Sequence, residues 1–254
     1  MVRLPDGIPL MHDPSDWTCR TAYEGTYERE ILSLLDDLLE NGDVVVDVGA
    51  NVGIITAHAS GLVGPTGRVI SVEPSPRCLG DLHAVTERLE NVTVVEAALG
   101  AENGMVDLVG WDNPGHRGLG SAVPGHRAGL AENWFIGETL RVPQLRLDHL
   151  LAEQLVGEPL IGLLKVDVEG YEPMVLRGAP GLLRDRQVRS AILEVTTTLS
   201  VDWVGDLLRE ATGGYDAFMI GERGWIKRRL DLKRVDAETA MQRSTQWNLL
   251  LLRR

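Results

Sequence analysis

The 254-residue sequence predicts an α/β protein built on a doubly wound, mostly parallel sheet. Three observations carry that prediction. Short runs of β-branched apolar residues alternate with segments of helical period. A glycine turn, Asp47-Val-Gly-Ala-Asn-Val-Gly53, joins the first buried run to the helix after it. Two apolar runs near the end of the chain have no apolar helix period between them, which reads as an antiparallel pair.

Residues 1–42 read as an N-terminal cover. Pro5-Asp6-Gly7 and Asp13-Pro14-Ser15 are turn signals around short apolar pieces, as in a strand or hairpin. Tyr27, Ile31, Leu34, Leu35 and Leu38 then recur with helical period until Asn41-Gly42 stops them. Residues 43–254 read as the main domain. Val44 to Val48 is its first strand and Arg68 to Glu73 its second. Ser75 reads as the N-cap and Pro76 as the first residue of a helix whose inner face is Leu79, Leu82, Thr86 and Leu89. Val92 to Glu96 is a third strand, and Met105 to Val109 a further one.

Residues 110–138 break this rhythm. They are rich in glycine and carry Trp111, Trp134, Phe135, His116 and His126. Irregular stretches this long are mostly functional loops, and the aromatics favour a lid or substrate loop. Asp148 to Leu155 resumes a helix. Ile161 to Val168 is a fourth strand, apolar but for Gly162, Lys165 and Asp167. Tyr171 to Gly178 is helical, Val188 to Val195 a fifth strand, and Asp202 to Ala211 helical. Tyr215 to Ile220 and Trp247 to Leu252 are the closing pair.

Composition removes several classes of function. A net charge of −12 repels phosphate backbones, so a nucleic-acid partner is not expected. Lys227-Arg228-Arg229 is a local exception that reads as a solvated turn. Cys19 and Cys78 have no nearby cysteine, which argues against a disulfide framework or a zinc cage and suits a reducing cytosol. The first residues hold no apolar signal core, and no apolar run approaches the ~18 residues of a membrane span. The expectation is a cytoplasmic protein acting on a small molecule, with no membrane partner and an oligomeric state the sequence leaves open.

The glycine turn has the form of a nucleotide-type cofactor site. Gly49 and Gly53 permit close backbone approach, Asp47 ends the strand, and the next helix begins with unpaired N–H groups. Nicotinamide and flavin sites favour a G-x-G-x-x-G order, whereas Asn51 stands mid-turn here. Glu73 ends the second strand, where an acid can take both hydroxyls of a ribose. Ala97 and Ala98 follow the third strand, where an adenine can lie on small residues. Asp167 and Glu169 sit at the carboxyl end of the fourth strand, facing the crevice in which such folds bind ligands. Lys165 has Asp167, Glu194 or the solvent rim as its outlets.

The strings Asp47-Val-Gly-Ala-Asn-Val-Gly, Val72-Glu-Pro-Ser-Pro, Ala98-Leu-Gly and Leu163-Leu-Lys-Val-Asp-Val-Glu-Gly-Tyr-Glu occur in this order. Together they resemble the FkbM-type methyltransferases, class I S-adenosylmethionine-dependent enzymes with a Rossmann-like fold. The resemblance covers about residues 43 to 196. It implies a seven-stranded sheet with its last strand antiparallel. It implies that Asp47, Gly49, Asn51 and Gly53 hold the methionine end of S-adenosylmethionine, that Glu73 with Pro74 meets the ribose, and that Ala97 and Ala98 flank the adenine. Asp167 and Glu169 then lie nearest the transferred methyl and the acceptor.

The expected reaction is O-methylation of a small-molecule hydroxyl of sugar, polyketide or other secondary-metabolite type. Asp167 is the expected base or positioning residue, then Glu169, with His116 or His126 in their place if the loop folds over the site. Asp167, Glu169 and Glu194 offer oxygen ligands to a divalent cation, but no spacing demands one. Two other functions compete: a nicotinamide-dependent oxidoreductase on the same sheet, and a non-catalytic cofactor-binding domain.

Overall fold

The computed structural model describes residues 2–3, 9–10, 15–110, 115, 118, 120–123, 138–157, 160–196, 202–211, 213–221, 231–242 and 246–254. In chain order the strands are β1 (Val2–Arg3), β2 (Pro9–Leu10), β3 (Val44–Val48), β4 (Arg68–Val72), β5 (Val92–Val95), β6 (Ala98–Leu99), β7 (Gly104–Leu108), β8 (Leu140–Leu145), β9 (Ile161–Val166), β10 (Val188–Val195), β11 (Tyr215–Gly221), β12 (Asp231–Arg234) and β13 (Trp247–Arg253). The helices are α1 (Trp17–Tyr23), α2 (Arg29–Leu38), α3 (Ile54–Val63), α4 (Pro76–Thr86), α5 (Leu147–Gln154), α6 (Glu172–Arg177), α7 (Asp202–Ala211) and α8 (Ala237–Met241). No helix among the described residues is long and apolar enough to cross a membrane.

The main sheet runs β12-β11-β13-β10-β9-β3-β4-β5. Its inner strands are parallel, and β13 lies antiparallel to both β10 and β11. Seven of its strands are those the sequence predicts, with the closing antiparallel pair in place. The eighth, β12, extends the edge beyond β11. Its polar sequence, Asp-Leu-Lys-Arg, gives no apolar signal, as befits an edge strand.

Side-chain alternation explains why this sheet holds two layers of helices. Val45, Val69, Leu163, Ile192 and Leu250 point to one face and join Ile31, Leu34 and Leu35 of α2 and Ile55, Ala59 and Val63 of α3. Val46, Ile70, Leu164, Ala191 and Leu249 point to the other and join Leu147 of α5, Val175 of α6 and Leu208 of α7. Both faces are covered, so the central strands read as continuous apolar runs. Helix α2, within the predicted cover, packs into the main core.

A second sheet, β6-β8-β7, lies apart from the first. Met105 to Val109 is therefore a strand, but not one of the main sheet. Most of β7 is exposed, which no central parallel strand tolerates. Its partner β8 was hidden by Pro143, a residue rarely found inside strands.

Strands β3 and β9 are neighbours although far apart in sequence, so the chain reverses its direction of winding between them. The amide of Asp167 donates to Val48 O (3.1 Å), and those of Gly49 and Ala50 donate to Val72 O (3.0 and 3.1 Å). The turn after β3 is thus pinned to both neighbouring strands. Gly49 has φ 78°, and a Cβ there would lie 1.8 Å from the carbonyl oxygen of Asp167. Gly53 has φ 87°, and a Cβ there would lie 2.8 Å from Leu82 Cδ1 of α4. Both glycines therefore admit other parts of the chain. Gly80 of α4, by contrast, has nothing within 4 Å of an added Cβ. Denaturant melts should show Gly49→Ala losing more than about 2 kcal/mol, from clash and backbone strain together, while Gly80→Ala gains roughly 0.5–1 kcal/mol. A Gly49→Ala protein of unchanged stability would refute this reading of the turn.

Candidate functional site

A cavity of about 340 Å3 opens at the carboxyl ends of β3, β4, β9 and β10. Val48, Gly49, Asn51, Glu73, Asp167 and Glu169 line it from the sheet side. Trp17, Thr18, Tyr27 and Glu28 line it from the N-terminal segment, and Gly118, Gly120 and Ala122 from the stretch after β7. These two covering pieces touch: Trp17 N–H donates to Gly115 O (2.9 Å). The second is also tied to the sheet, because Ser121 Oγ donates to Glu169 O (2.8 Å) and Ser121 pairs with Val109. His116 and His126 lie outside the described residues.

At one end the cavity is lined by a buried carboxylate, an asparagine and a serine beside small apolar residues. The Asn51 amide donates to Glu73 Oε2 and the Ser75 amide to Glu73 Oε1, both at 2.8 Å. Glu73 is 7% exposed, and burial pushes its pKa up to about 7 against those two hydrogen bonds. Asn51 is left-handed at φ 51°, and its Oδ1 accepts from Cys78 Sγ at 3.3 Å. Gly118 backs onto the same side chain, where a Cβ would lie 2.5 Å from Nδ2. Pro74 lines the cavity, as do the buried Ala97 and Ala98. Ser75 precedes α4 as the sequence predicts, yet its hydroxyl makes no cap hydrogen bond. Ser75 Oγ is buried on the cavity wall without a partner among the described residues. A buried hydroxyl left unpaired costs about 1–3 kcal/mol, so it suits a ligand that supplies the missing bond.

Asp47 and Gly53 do not line the cavity. Asp47 is fully buried; its Oδ2 accepts from Thr56 Oγ1 (2.7 Å), and its Oδ1 faces Lys165 Nζ at 3.7 Å. Lys165, 4% exposed, also lies 3.1 Å from Asp167 Oδ2. Burial alone would lower its pKa; the carboxylates of Asp167, Asp47 and Glu28 outweigh that and hold it above the ordinary value.

The other end of the cavity is acidic. Glu169 stands in a left-handed turn at φ 52°, with its pKa pushed to about 8 by burial and then by Asp167, Glu172 and Glu28. Glu28 is raised to about 7 by burial and then by Asp167. Burial and then Asp167 also lift Glu194 well above the carboxylate range, although Gln246 Nε2 donates to it and Thr196 Oγ1 does so at 3.3 Å. Glu172 closes the turn by accepting from the amides of Val168 (2.9 Å) and Gly170 (3.2 Å). One oxygen each of Asp167, Glu169 and Glu194 falls within 4.8 Å of the others, a spacing a hard cation can use.

The structure therefore gathers Gly49, Asn51, Glu73, Pro74, Ala97, Ala98, Asp167 and Glu169 around one cavity and sets Asp47 and Gly53 behind it. Glu28, Tyr27 and Trp17 join the site with no signal in the sequence. Of the four non-glycine residues with positive φ among the described residues, Glu28, Asn51 and Glu169 line this cavity, the kind of clustering that marks functional sites.

Residues 47–223 match the family model described as the methyltransferase FkbM domain. The methyltransferase sdnD of Sordaria araneosa is 30% identical over 160 residues, which cover 55% of this chain and 61% of that protein. The hexuronic acid methyltransferase AglP of Haloferax volcanii is 27% identical over 184 residues, 72% of this chain and 69% of that protein. Among solved structures, Aeropyrum pernix fibrillarin in complex with natively bound S-adenosyl-L-methionine aligns over 88% of this chain and 74% of that one, at 15% identity and a TM-score of 0.44.

The raised carboxyls make stability depend on pH with a definite sign. Glu28, Glu73, Glu169 and Glu172 have an ordinary pKa of 4.5 and fold with values of about 7 to 8. The folded chain then holds more protons between those limits. This contribution is complete below the ordinary pKa and is lost as pH rises through about 8. Melts of the ligand-free protein should show Tm falling from about pH 6 to about pH 9, and less steeply in Glu73→Gln. A Tm that rises over that interval would contradict the burial of these acids.

Proposed function

The chain belongs to the FkbM methyltransferase family, and from that premise we propose that it transfers the methyl group of S-adenosylmethionine to a hydroxyl of a small molecule. The observation that carries this reading is one continuous cavity with two unlike ends, a pocket of adenosine-binding type and a carboxylate-lined rim. The cofactor supplies an electrophilic methyl on a sulfonium. The protein's part is to bind, orient, exclude water and take one proton.

Asn51, Glu73, Pro74, Ser75, Ala97 and Ala98 hold the adenosine end in this reading. Gly49 and Asp167 flank the methionine end, Asp167 and Glu169 face the acceptor, and Asp47 and Gly53 fix the turn from behind. An aliphatic hydroxyl has a pKa near ~15.7 and an ordinary Asp near ~3.9, so complete prior deprotonation by such an acid would cost about 16 kcal/mol. For a carboxyl raised to about 8, as Glu169 is, the same transfer costs about 10 kcal/mol. Proton removal therefore accompanies bond formation, and a raised acid suits it better than an ordinary one.

The rim also bears on the acceptor. Glu28, Glu73, Asp167, Glu169 and Glu194 line the cavity, and no Lys, Arg or His does so among the described residues. An acceptor presenting a carboxylate to this rim would meet like charge, so the face it turns inward is uncharged. Sugar and polyketide hydroxyls fit that description. A hexuronic acid, named for the haloarchaeal relative, fits with its carboxylate turned away.

Saturating S-adenosylhomocysteine, at about a hundredfold over Kd, should add about 2.7 kcal/mol, or roughly 5–10 °C in Tm for a chain of this size, while NAD(P) adds nothing. Label transferred from tritiated S-adenosylmethionine should survive alkali, as a methyl ether does. Stabilisation by NAD(P) alone, or label released by alkali as from a methyl ester, would overturn the respective half of the proposal.

Lys165 already supplies positive charge beside the rim, so the proposal assigns no metal. Turnover should be unchanged in EDTA. A loss of turnover that Mg2+ restores would place a cation among Asp167, Glu169 and Glu194.

A further inference from the structure

Glu28 occupies the N-cap position of α2, where a side chain that serves as a cap accepts from the helix's free N–H groups. It makes no such hydrogen bond, and its backbone is left-handed at φ 45°. A non-glycine residue keeps that conformation only where its surroundings over-determine it. The side chain lines the cavity beside Tyr27 and Trp17, whose rings meet edge-on with centroids 6.3 Å apart.

Other carboxylates on the cavity wall are already engaged. Glu73 accepts from Asn51 and Ser75, Asp167 is paired with Lys165, and Glu194 accepts from Gln246 and Thr196. Glu28 and Glu169 remain. Glu169 sits in a turn held by Ser121 and Glu172, with carboxylate oxygens of Asp167 and Glu194 within 4.8 Å of its own. Glu28 alone belongs to the covering segment that carries the aromatic wall, and a ring-bearing acceptor stacked on that wall would have Glu28 next to it.

We propose that Glu28 is the carboxylate that takes the proton of the acceptor hydroxyl during methyl transfer, while Asp167 stays engaged with Lys165. This rests on the cofactor and reaction proposed above. The acceptor oxygen forms a bond to the methyl carbon with its own electron pair. The carbon–sulfur pair departs with sulfur, which becomes a neutral thioether. The hydroxyl proton moves to Glu28, so one sulfonium and one carboxylate become two neutral groups. The groups that bear on Glu28 are Tyr27 and Glu30 of its own segment, Asp47 of β3, Lys165 and Asp167 at the end of β9, and Glu169 just beyond. Their combined effect with burial places its pKa at about 7, where a general base works best near neutral pH.

The test compares wild type, Glu28→Gln and Glu28→Asp with tritiated S-adenosylmethionine and a set of neutral methyl hexosides, and measures S-adenosylhomocysteine binding by calorimetry. Glu28→Gln should lower kcat roughly a hundredfold or more and abolish the rise of rate with pH near 7. Its S-adenosylhomocysteine affinity should stay at the wild-type value, and its Tm should match wild type at about pH 6 and fall less steeply above it. Glu28→Asp should recover part of the rate and keep a pH-dependent limb. A Glu28→Gln enzyme with wild-type kcat overturns the assignment. So does one whose S-adenosylhomocysteine affinity falls tenfold, because Glu28 would then serve the cofactor. Wild-type protein that binds no S-adenosylhomocysteine overturns the cofactor reading, one that methylates no hexoside overturns a neutral sugar as the ring stacked beside Glu28, and the Glu28 assignment falls with either.

Discussion

A single buried ammonium holds the site together. Lys165 lies in a strand buried along its whole length, paired in register with Asp47 of β3 on one side and Ile192 of β10 on the other. A charge in that position is costly unless paired, and Asp47 and Asp167 supply the pairing. Each of those acids belongs to a different half of the site. Asp47 lies near the end of the strand that leads into the glycine turn, and Asp167 follows the strand that reaches the acidic rim. The same positive charge opposes the rise in pKa that burial forces on the carboxyls of Glu28, Glu73 and Glu169. Removing one partner of such a pair typically costs about 3–5 kcal/mol, which is comparable to much of a domain's net stability.

The parts of the fold legible in the sequence are those that repeat or that burial simplifies. Valine-rich runs bounded by glycine turns identify β3, β4 and β9, because strands covered on both faces lose their polar alternation. Lys165 is visible as an anomaly for the same reason, since a lysine in such a run must have a partner. Strand β8 is hidden by Pro143 and β12 by its polarity, both consequences of life at an edge or in a small sheet. Gly49 and Gly53 are readable as obligatory glycines, but not for what they accommodate. A sequence shows that a side chain is missing; only the packing shows that a carbonyl and a leucine fill the space.

Within the site, Glu73, Asn51 and Asp167 are legible because they sit at fixed offsets from strand ends. Glu28 is not, because its contribution depends on a backbone conformation that glutamate seldom adopts and on a helix returning over the sheet. Ser75 is legible as the residue before a helix, yet that position conceals a hydroxyl free to meet a ligand. The two halves of the cavity thus differ in kind. One follows from local motif and the other from tertiary approach, and the covering pieces meet through a backbone bond between Trp17 and Gly115 that no side-chain pattern encodes.

The contact of Gly49 with the carbonyl of Asp167 leaves no slack between β3 and β9. Two strands that touch backbone to backbone behave as one stiff body, since packed interiors transmit displacement and do not absorb it. A shift of the acidic rim is therefore passed to the glycine turn after β3. The two ends of the cavity are mechanically a single part, and sequence change that tunes one without the other has to enter through the cover.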